Sequence, residues 1–286
     1  MDEMSVLWIS DFSTKHNIGG AQRSDDILIK KGVELGFNIT HFTHDSDISL
    51  LSRQYHHTVS SNLELIYHKN PEIIGYLMSA QNHSRVEHDM NHYLSEIDRK
   101  KLFLNCKNTF FLTNYHYDLF INKYGNIFHN VRIVSDPIDT SVFYDYKKVR
   151  ENKLLYVGFM HELKGTYDFF NYAMNSPHIE FVVAGWGDEL FTHLAKTIPN
   201  VNYLGSVEYN AMPELYNKYD TFFYIPRINE PFCRSAGEAL LCGMGLAVND
   251  KIGCVHEYNR LGKEGFVSAC GKASEIFWSC FEDDYV

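Results

Sequence analysis

Glu230 and Glu238 close the two ends of the segment Glu230-Pro-Phe-Cys-Arg-Ser-Ala-Gly-Glu238. Carboxylates placed around a loop-to-helix junction can accept hydrogen bonds from sugar hydroxyls. From Ser235 onward, Ala236, Ala239, Leu240 and Leu241 keep helical spacing, and Gly243 closes the run. A helix start presents unpaired amides and a partial positive charge, which suits a diphosphate. A nucleotide sugar combines both kinds of group. The plainer reading of the same residues is a surface-loop glutamate and a solvated helix glutamate.

The elements that must position these residues are legible on either side. Asp220-Thr-Phe-Phe-Tyr-Ile-Pro226 is apolar and aromatic, as a buried parallel strand would be. Upstream, Lys153–Val157 reads as a strand ending at Gly158, Thr166–Met174 as a helix, and Ile179–Ala184 as a strand ending at Gly185-Trp-Gly187. Glu189–Thr197 and Met212–Lys218 are expected helices, with strands at Val201–Leu204 and Gly245–Asn249. The first half opens with a strand at Val6–Ile9, a polar loop to Gly19-Gly20, a helix over Ala21–Leu35 and an alternating strand over Phe37–Thr43. Further strands are expected at Leu63–Tyr67, Arg85–His88, Thr109–Leu112 and Val131–Val134. Alternating strands and helices predict an α/β protein of doubly wound sheets, with ligands at the carboxyl ends of the strands. The charged, aperiodic stretch Asp145–Asn152 divides the chain into domains at 1–148 and 149–286.

Composition excludes several classes. The net charge of −10 argues against general nucleic-acid binding. It is uneven, with 16 basic against 18 acidic residues through Arg150 and 10 against 18 beyond it. Basic clusters at Lys30-Lys31, Arg99-Lys100-Lys101 and Lys147-Lys148 fit a solvated surface, or a weak peripheral contact with an anionic membrane. No apolar run reaches the roughly 20 residues of a membrane helix. The acidic start Met1-Asp-Glu-Met-Ser does not read as a signal peptide. Six cysteines without CxxC spacing point to reduced thiols and a cytoplasmic protein.

Taken in order, these elements resemble the retaining glycosyltransferases of family 4, which have the GT-B fold of two Rossmann-like domains facing across a cleft. The resemblance rests on Leu154–Gly158 followed by Lys164-Gly165, on Gly185-Trp-Gly187, on Glu230–Glu238 as the EPFG…E signature, and on Ile252-Gly253 through Glu257. In the first half it rests on Gly19-Gly20-Ala21, on Arg85-Val-Glu-His-Asp89, and on Pro137-Ile-Asp139 with Phe143. It implies an acceptor-side first domain and a donor-side second domain. It also implies transfer of a sugar from a nucleotide-diphosphate donor, such as a UDP- or GDP-sugar, to a carbohydrate, lipid-linked or other hydroxyl acceptor, with retention and with neither metal nor other cofactor.

Residue by residue, the resemblance gives catalytic roles to His88, Lys164 and Glu230, and donor-binding roles to Gly19, Gly20, Gly158, Arg234, Ser235 and Glu238. Two positions depart from the pattern. Phe159 stands where the family has an arginine on the diphosphate, and Cys233 stands for a glycine. Arg234 either supplies the missing cation or pairs with a neighbouring carboxylate.

Other strings carry less. Asp45-Ser-Asp47 matches a metal-binding Asp-x-Asp but lies in an acidic loop far from the diphosphate elements. His88-Asp-Met-Asn-His92 has the spacing of a zinc-protease pair, but on an expected strand end and with no third ligand. The rival readings are a nucleotide-sugar epimerase of the same fold and a catalytically silent nucleotide- or sugar-binding protein. A dinucleotide oxidoreductase lacks its GxGxxG after the first strand.

Overall fold

The computed structural model describes residues 4–13, 19–80, 82–90 and 94–282. In chain order the elements are β1 (Ser5–Ile9), α1 (Gly20–Glu34), β2 (Asn38–Phe42), β3 (His57–Ser60), α2 (Glu64–Lys69), α3 (Ile73–Ser79), β4 (His83–Val86), α4 (Glu96–Asn105), β5 (Asn108–Phe111), α5 (Asn114–Tyr124) and β6 (Val131–Ile133). They continue with β7 (Glu151–Val157), α6 (Thr166–Asn175), β8 (Phe181–Ala184), α7 (Glu189–Thr197), β9 (Val201–Gly205), α8 (Met212–Lys218), β10 (Tyr219–Tyr224), α9 (Arg234–Leu241), β11 (Gly245–Val248), α10 (Gly253–Gly271) and α11 (Ala273–Glu282).

Two compact units result, one of residues 1–137 with 268–286 and one of residues 138–267. Against the expected domains, the boundary moves from 148/149 to 137/138, and the final segment packs with the first unit. The reason is aromatic burial. Phe277, Trp278 and Phe281 of α11 join Val6, Trp8, Leu28, Phe37, Val59, Val86 and Phe110 in one core. The Trp278 ring stacks on Phe37 with centroids 4.5 Å apart, and its Nε1 donates to Leu28 O at 2.7 Å. Gly32 permits this approach, since a Cβ there would stand 2.4 Å from the Trp278 ring.

The first unit is a six-stranded sheet in the order β2-β1-β3-β4-β5-β6, and every pairing is parallel. Side chains along β1 alternate between two cores, as a strand covered on both faces requires. Val6 and Trp8 enter the core shared with α1 and α11, whereas Leu7 and Ile9 enter the one shared with α2, α3 and α4.

Two sequence expectations fail here. Leu63–Tyr67 is not a strand. Asp11 at the end of β1 accepts from the amides of Leu65 and Ile66 at 3.0 and 2.9 Å, which satisfies the open start of a helix, α2. The neighbouring strand is β3, whose residues His57, Thr58 and Ser60 are polar yet buried. The fourth strand also ends two residues early, at Val86, leaving Glu87 and His88 on the following loop.

The second unit is a five-stranded parallel sheet in the order β11-β10-β7-β8-β9. From β7 the chain runs outward through β8 and β9, then returns to the opposite side of β7 as β10. In a sheet whose strand order reverses this way, the ligand crevice lies at the carboxyl ends of the strands beside the reversal, here β7 and β10.

Among the described residues, no helix is long and apolar enough to cross a membrane. The basic cluster on α4 is smaller than its sequence implies, because Arg99 is buried inside the first unit.

Candidate active site

At the carboxyl end of β7, the Gly158 amide donates to Ala184 O at 3.0 Å, tying the end of β7 to β8. The chain then forms a short 3-10 turn, Glu162–Lys164, closed by Gly165 in the left-handed conformation at φ 74°. A side chain at Gly165 could not be accommodated, since its Cβ would fall 1.9 Å from Ile225 O. That close approach seats the Lys164 turn against the chain leaving β10.

Lys164 and Glu230 meet there, with Nζ 2.6 Å from Oε1. The Tyr224 hydroxyl donates to the same oxygen at 2.7 Å. Backbone bonds on both sides fix Glu230: its amide donates to Lys251 O at 2.8 Å, and its carbonyl accepts from Gly253 N at 2.9 Å. Burial, then the Glu230 charge, push the Tyr224 phenol well above its ordinary value. Tyr224 therefore remains a hydrogen-bond donor at neutral pH. Lys164 is about one-third exposed, whereas the Glu230 side chain is nearly buried.

Glu238 occupies the second turn of α9, where three groups converge on its carboxylate. Tyr209 donates to Oε1 at 2.9 Å, Tyr216 to Oε2 at 3.1 Å, and Arg234 Nε to Oε1 at 3.1 Å. Arg234 Nη2 also donates to the Tyr209 hydroxyl at 3.2 Å. Of the two alternatives for Arg234, the structure contains the carboxylate pair. Phe143 packs on the same tyrosines, with ring centroids 5.4 Å from Tyr209 and 6.2 Å from Tyr216. Glu257, near the start of α10, is buried and ion-paired to Arg260 at 2.6 Å.

Cys233 precedes α9 at φ 69° and ψ 84°, a conformation that costs little only for glycine. Its thiol lies 3.6 Å from Ser235 Oγ. Burial, and after it the Glu230 charge, push the thiol up to about 12, so it is not a thiolate nucleophile at neutral pH. Phe159 lies against Trp186 at 4.4 Å and stacks with His161 at 5.8 Å. An aromatic group thus fills the position where the resemblance predicts an arginine.

The remaining predicted residues lie in the first unit. Gly19 caps α1 without a side chain, and Gly20 is its first residue; Thr14–Ile18 fall outside the described residues. His88 is buried, with Nε2 3.0 Å from Asp25 Oδ1. Its sequence partner in the zinc-like string, His92, is outside the described residues. Asp45 and Asp47 serve turns, accepting from Thr43 Oγ1 at 2.5 Å and from the Ser49 amide at 2.9 Å. Among the described residues, no three His, Cys, Asp or Glu side chains converge as a metal site.

Sequence reading alone missed Asp25, Tyr209, Tyr216 and Tyr224. Tyr209, in a 3-10 turn, and Tyr216, on α8, carried no signal separating them from the other aromatic residues. Tyr224, at the end of a strand whose loop holds Glu230, was the one that position could have singled out.

Residues 143–278 match the family model described as glycosyl transferases group 1. The matched segment contains the whole Lys164, Glu230 and Glu238 constellation. No curated protein matches the chain. Solved structures do. Alr3699/HepE from Anabaena, in complex with UDP and glucose, superposes with a TM-score of 0.66 at 13% identity, covering 97% of this chain and 95% of that one. Sucrose-phosphate synthase from Thermosynechococcus elongatus gives 0.71 at 10% identity, covering 99% and 97%. AviGT4, a glycosyltransferase involved in avilamycin A biosynthesis, gives 0.57 at 13% identity, covering 98% and 97%. At these identities the likeness is one of fold, and the fold is GT-B: two α/β units, each built on a parallel sheet.

Proposed function

We propose that this protein is a glycosyltransferase that moves a sugar from a nucleoside-diphosphate sugar to an acceptor hydroxyl, with retention as in family 4 and without a metal. The observation that carries the proposal is the Lys164–Glu230–Tyr224 cluster at the β7/β10 crevice, inside the segment that matches the glycosyl transferase model. The second unit is assigned the donor and the first the acceptor, in the cytoplasm. UDP is the first nucleotide to test, because a protein of similar fold is described in complex with UDP and glucose.

Breaking the glycosyl–phosphate bond builds negative charge on the departing diphosphate and positive charge at the anomeric carbon. Lys164 and the first amides of α9, at Arg234 and Ser235, are assigned the first charge. Glu230 is assigned the sugar. Its carboxylate is held by Tyr224 and by backbone bonds on both sides, so little reorganisation accompanies the reaction. Glu238 is assigned the ribose hydroxyls. Binding there must trade one of its present donors, and Arg234 is the candidate to swing toward the diphosphate. The acceptor attacks from the face the diphosphate leaves, and the diphosphate takes its proton.

The test is a thermal-shift panel of UDP, GDP, ADP and their sugars, followed by product analysis with simple sugar acceptors. A nucleoside diphosphate is expected to raise the melting temperature, and a matching nucleotide sugar to release it during turnover. Absence of any nucleotide shift would remove the reading. Conversion of the donor without an acceptor would replace it with epimerisation, and a shift without turnover would leave a silent binding protein.

A further inference from the structure

His88 is enclosed by carboxylates. Asp25 on α1 meets Nε2 at 3.0 Å, and both side chains are almost wholly buried. The second Asp25 oxygen accepts from Ser61 Oγ at 2.6 Å, and the Ser61 carbonyl in turn accepts from Arg85 Nη1. The aspartate is therefore fixed from two sides. Asp136, beyond the end of β6, and Asp89, next to His88 in sequence, add their charges to the same ring. Asp136 is itself anchored by a hydrogen bond from Ser24, whose hydroxyl also reaches Gly20 O at 2.9 Å.

The buried arginines of the same unit are committed to another carboxylate. Arg85 pairs with Glu87 at 2.6 Å, and Arg99 with the other oxygen of Glu87 at 3.1 Å. Burial is the largest single influence on the His88 ring and opposes its charge. The carboxylates of Asp25, Asp136 and Asp89 together outweigh it and hold the ring above its ordinary pKa. A general base must be neutral, with a free lone pair; a ring kept charged has N–H groups only.

We propose that Asp25 is a positioning residue whose carboxylate holds His88 by Nε2 and favours the charged form of the ring, so that His88 serves as a fixed hydrogen-bond donor through Nδ1 and not as a base. Its use on the sugar or the departing phosphate rests on the transferase reading above; its charge does not.

The experiment is an NMR titration of the full chain with isotope-labelled histidine, the His88 resonance being assigned with His88→Gln. It is paired with the pH dependence of kcat for any transfer detected. His88 is expected to titrate above about 6.5, the free imidazole value. Asp25→Asn should move that titration down and lower kcat above about pH 6.5, with Asp25→Glu restoring part of both. In the wild type, kcat should fall as the ring loses its proton, and Asp25→Asn should bring that fall to lower pH.

A wild-type ring titrating at or below about 6.5 overturns the proposal even where the Asp25 variants do not fold. So does a titration that Asp25→Asn leaves unmoved, or a kcat that rises as the ring deprotonates. A high titration without turnover on any nucleotide sugar supports the charge assignment and removes only the transferase reading.

Discussion

The two units bury charge in different ways. In the first, Glu87 is fully buried between Arg85 and Arg99, and Arg99 also lies over the Phe120 ring at 4.7 Å. Every partner of that cluster is part of the fold. In the second unit, Lys164–Glu230 and Arg234–Glu238 stand at strand and helix ends, each carboxylate shared with tyrosine hydroxyls. A tyrosine can exchange its acceptor for a ligand oxygen at small cost, whereas a buried arginine cannot lose a carboxylate without leaving a charge uncompensated. The first arrangement resists change; in the second, the Arg234–Glu238 pair can exchange a donor for a ligand.

Substitutions at the two kinds of site should separate this contrast. Glu87→Ala should cost about 3–5 kcal/mol of unfolding free energy by chemical denaturation, because two buried guanidinium groups lose their partner. A loss under about 1 kcal/mol would place Arg85 and Arg99 in contact with water and break the comparison. Lys164→Ala should behave in the opposite way. Turnover should fall on the order of 100-fold or more, while stability changes by about 1 kcal/mol or less because the lysine is partly exposed. Glu238→Ala should weaken nucleoside diphosphate binding by about tenfold, close to 1.4 kcal/mol, read as a smaller thermal shift at fixed ligand.

The smallest effect concerns Asp11. Burial, with Glu64 adding to it, raises its carboxyl to about 6. A carboxyl whose pKa is higher folded than unfolded binds its proton more tightly in the folded state. Its contribution is complete below the unfolded value near 4 and disappears as the pH rises through about 6. The stability difference between wild type and Asp11→Asn should therefore shrink over that window in urea titrations. A flat difference would mean that Asp11 is already ionised throughout it.

Legibility in the sequence followed the same division. In the second unit, α7 and α8 begin and end at their expected residues, and β7, β8 and β10 lie where apolar runs place them. These elements bury apolar faces, so hydrophobic spacing reports them directly. The first unit hides β3 because His57, Thr58 and Ser60 satisfy their polarity inside the protein; Ser60 Oγ, for one, meets His83 Nε2 at 2.7 Å. Periodicity cannot reveal a strand whose interior is polar.

Within the site, Lys164 and Glu230 could be named from their motifs, and they do meet. That Arg234 turns back to Glu238 depends on a rotamer, which no spacing encodes. Asp25 and His88 are 63 residues apart, and their pairing follows only once the strand order is known.

The return of α11 to the first sheet has a consequence for synthesis. Trp8 rests against Trp278 with ring centroids 6.3 Å apart, so β1 waits for α11. On the ribosome, residues 138–267 can fold as they emerge, while Val6 and Trp8 keep one face uncovered until α11 is released. A nascent chain stopped short of residue 273 would leave that sticky face exposed and prone to aggregation.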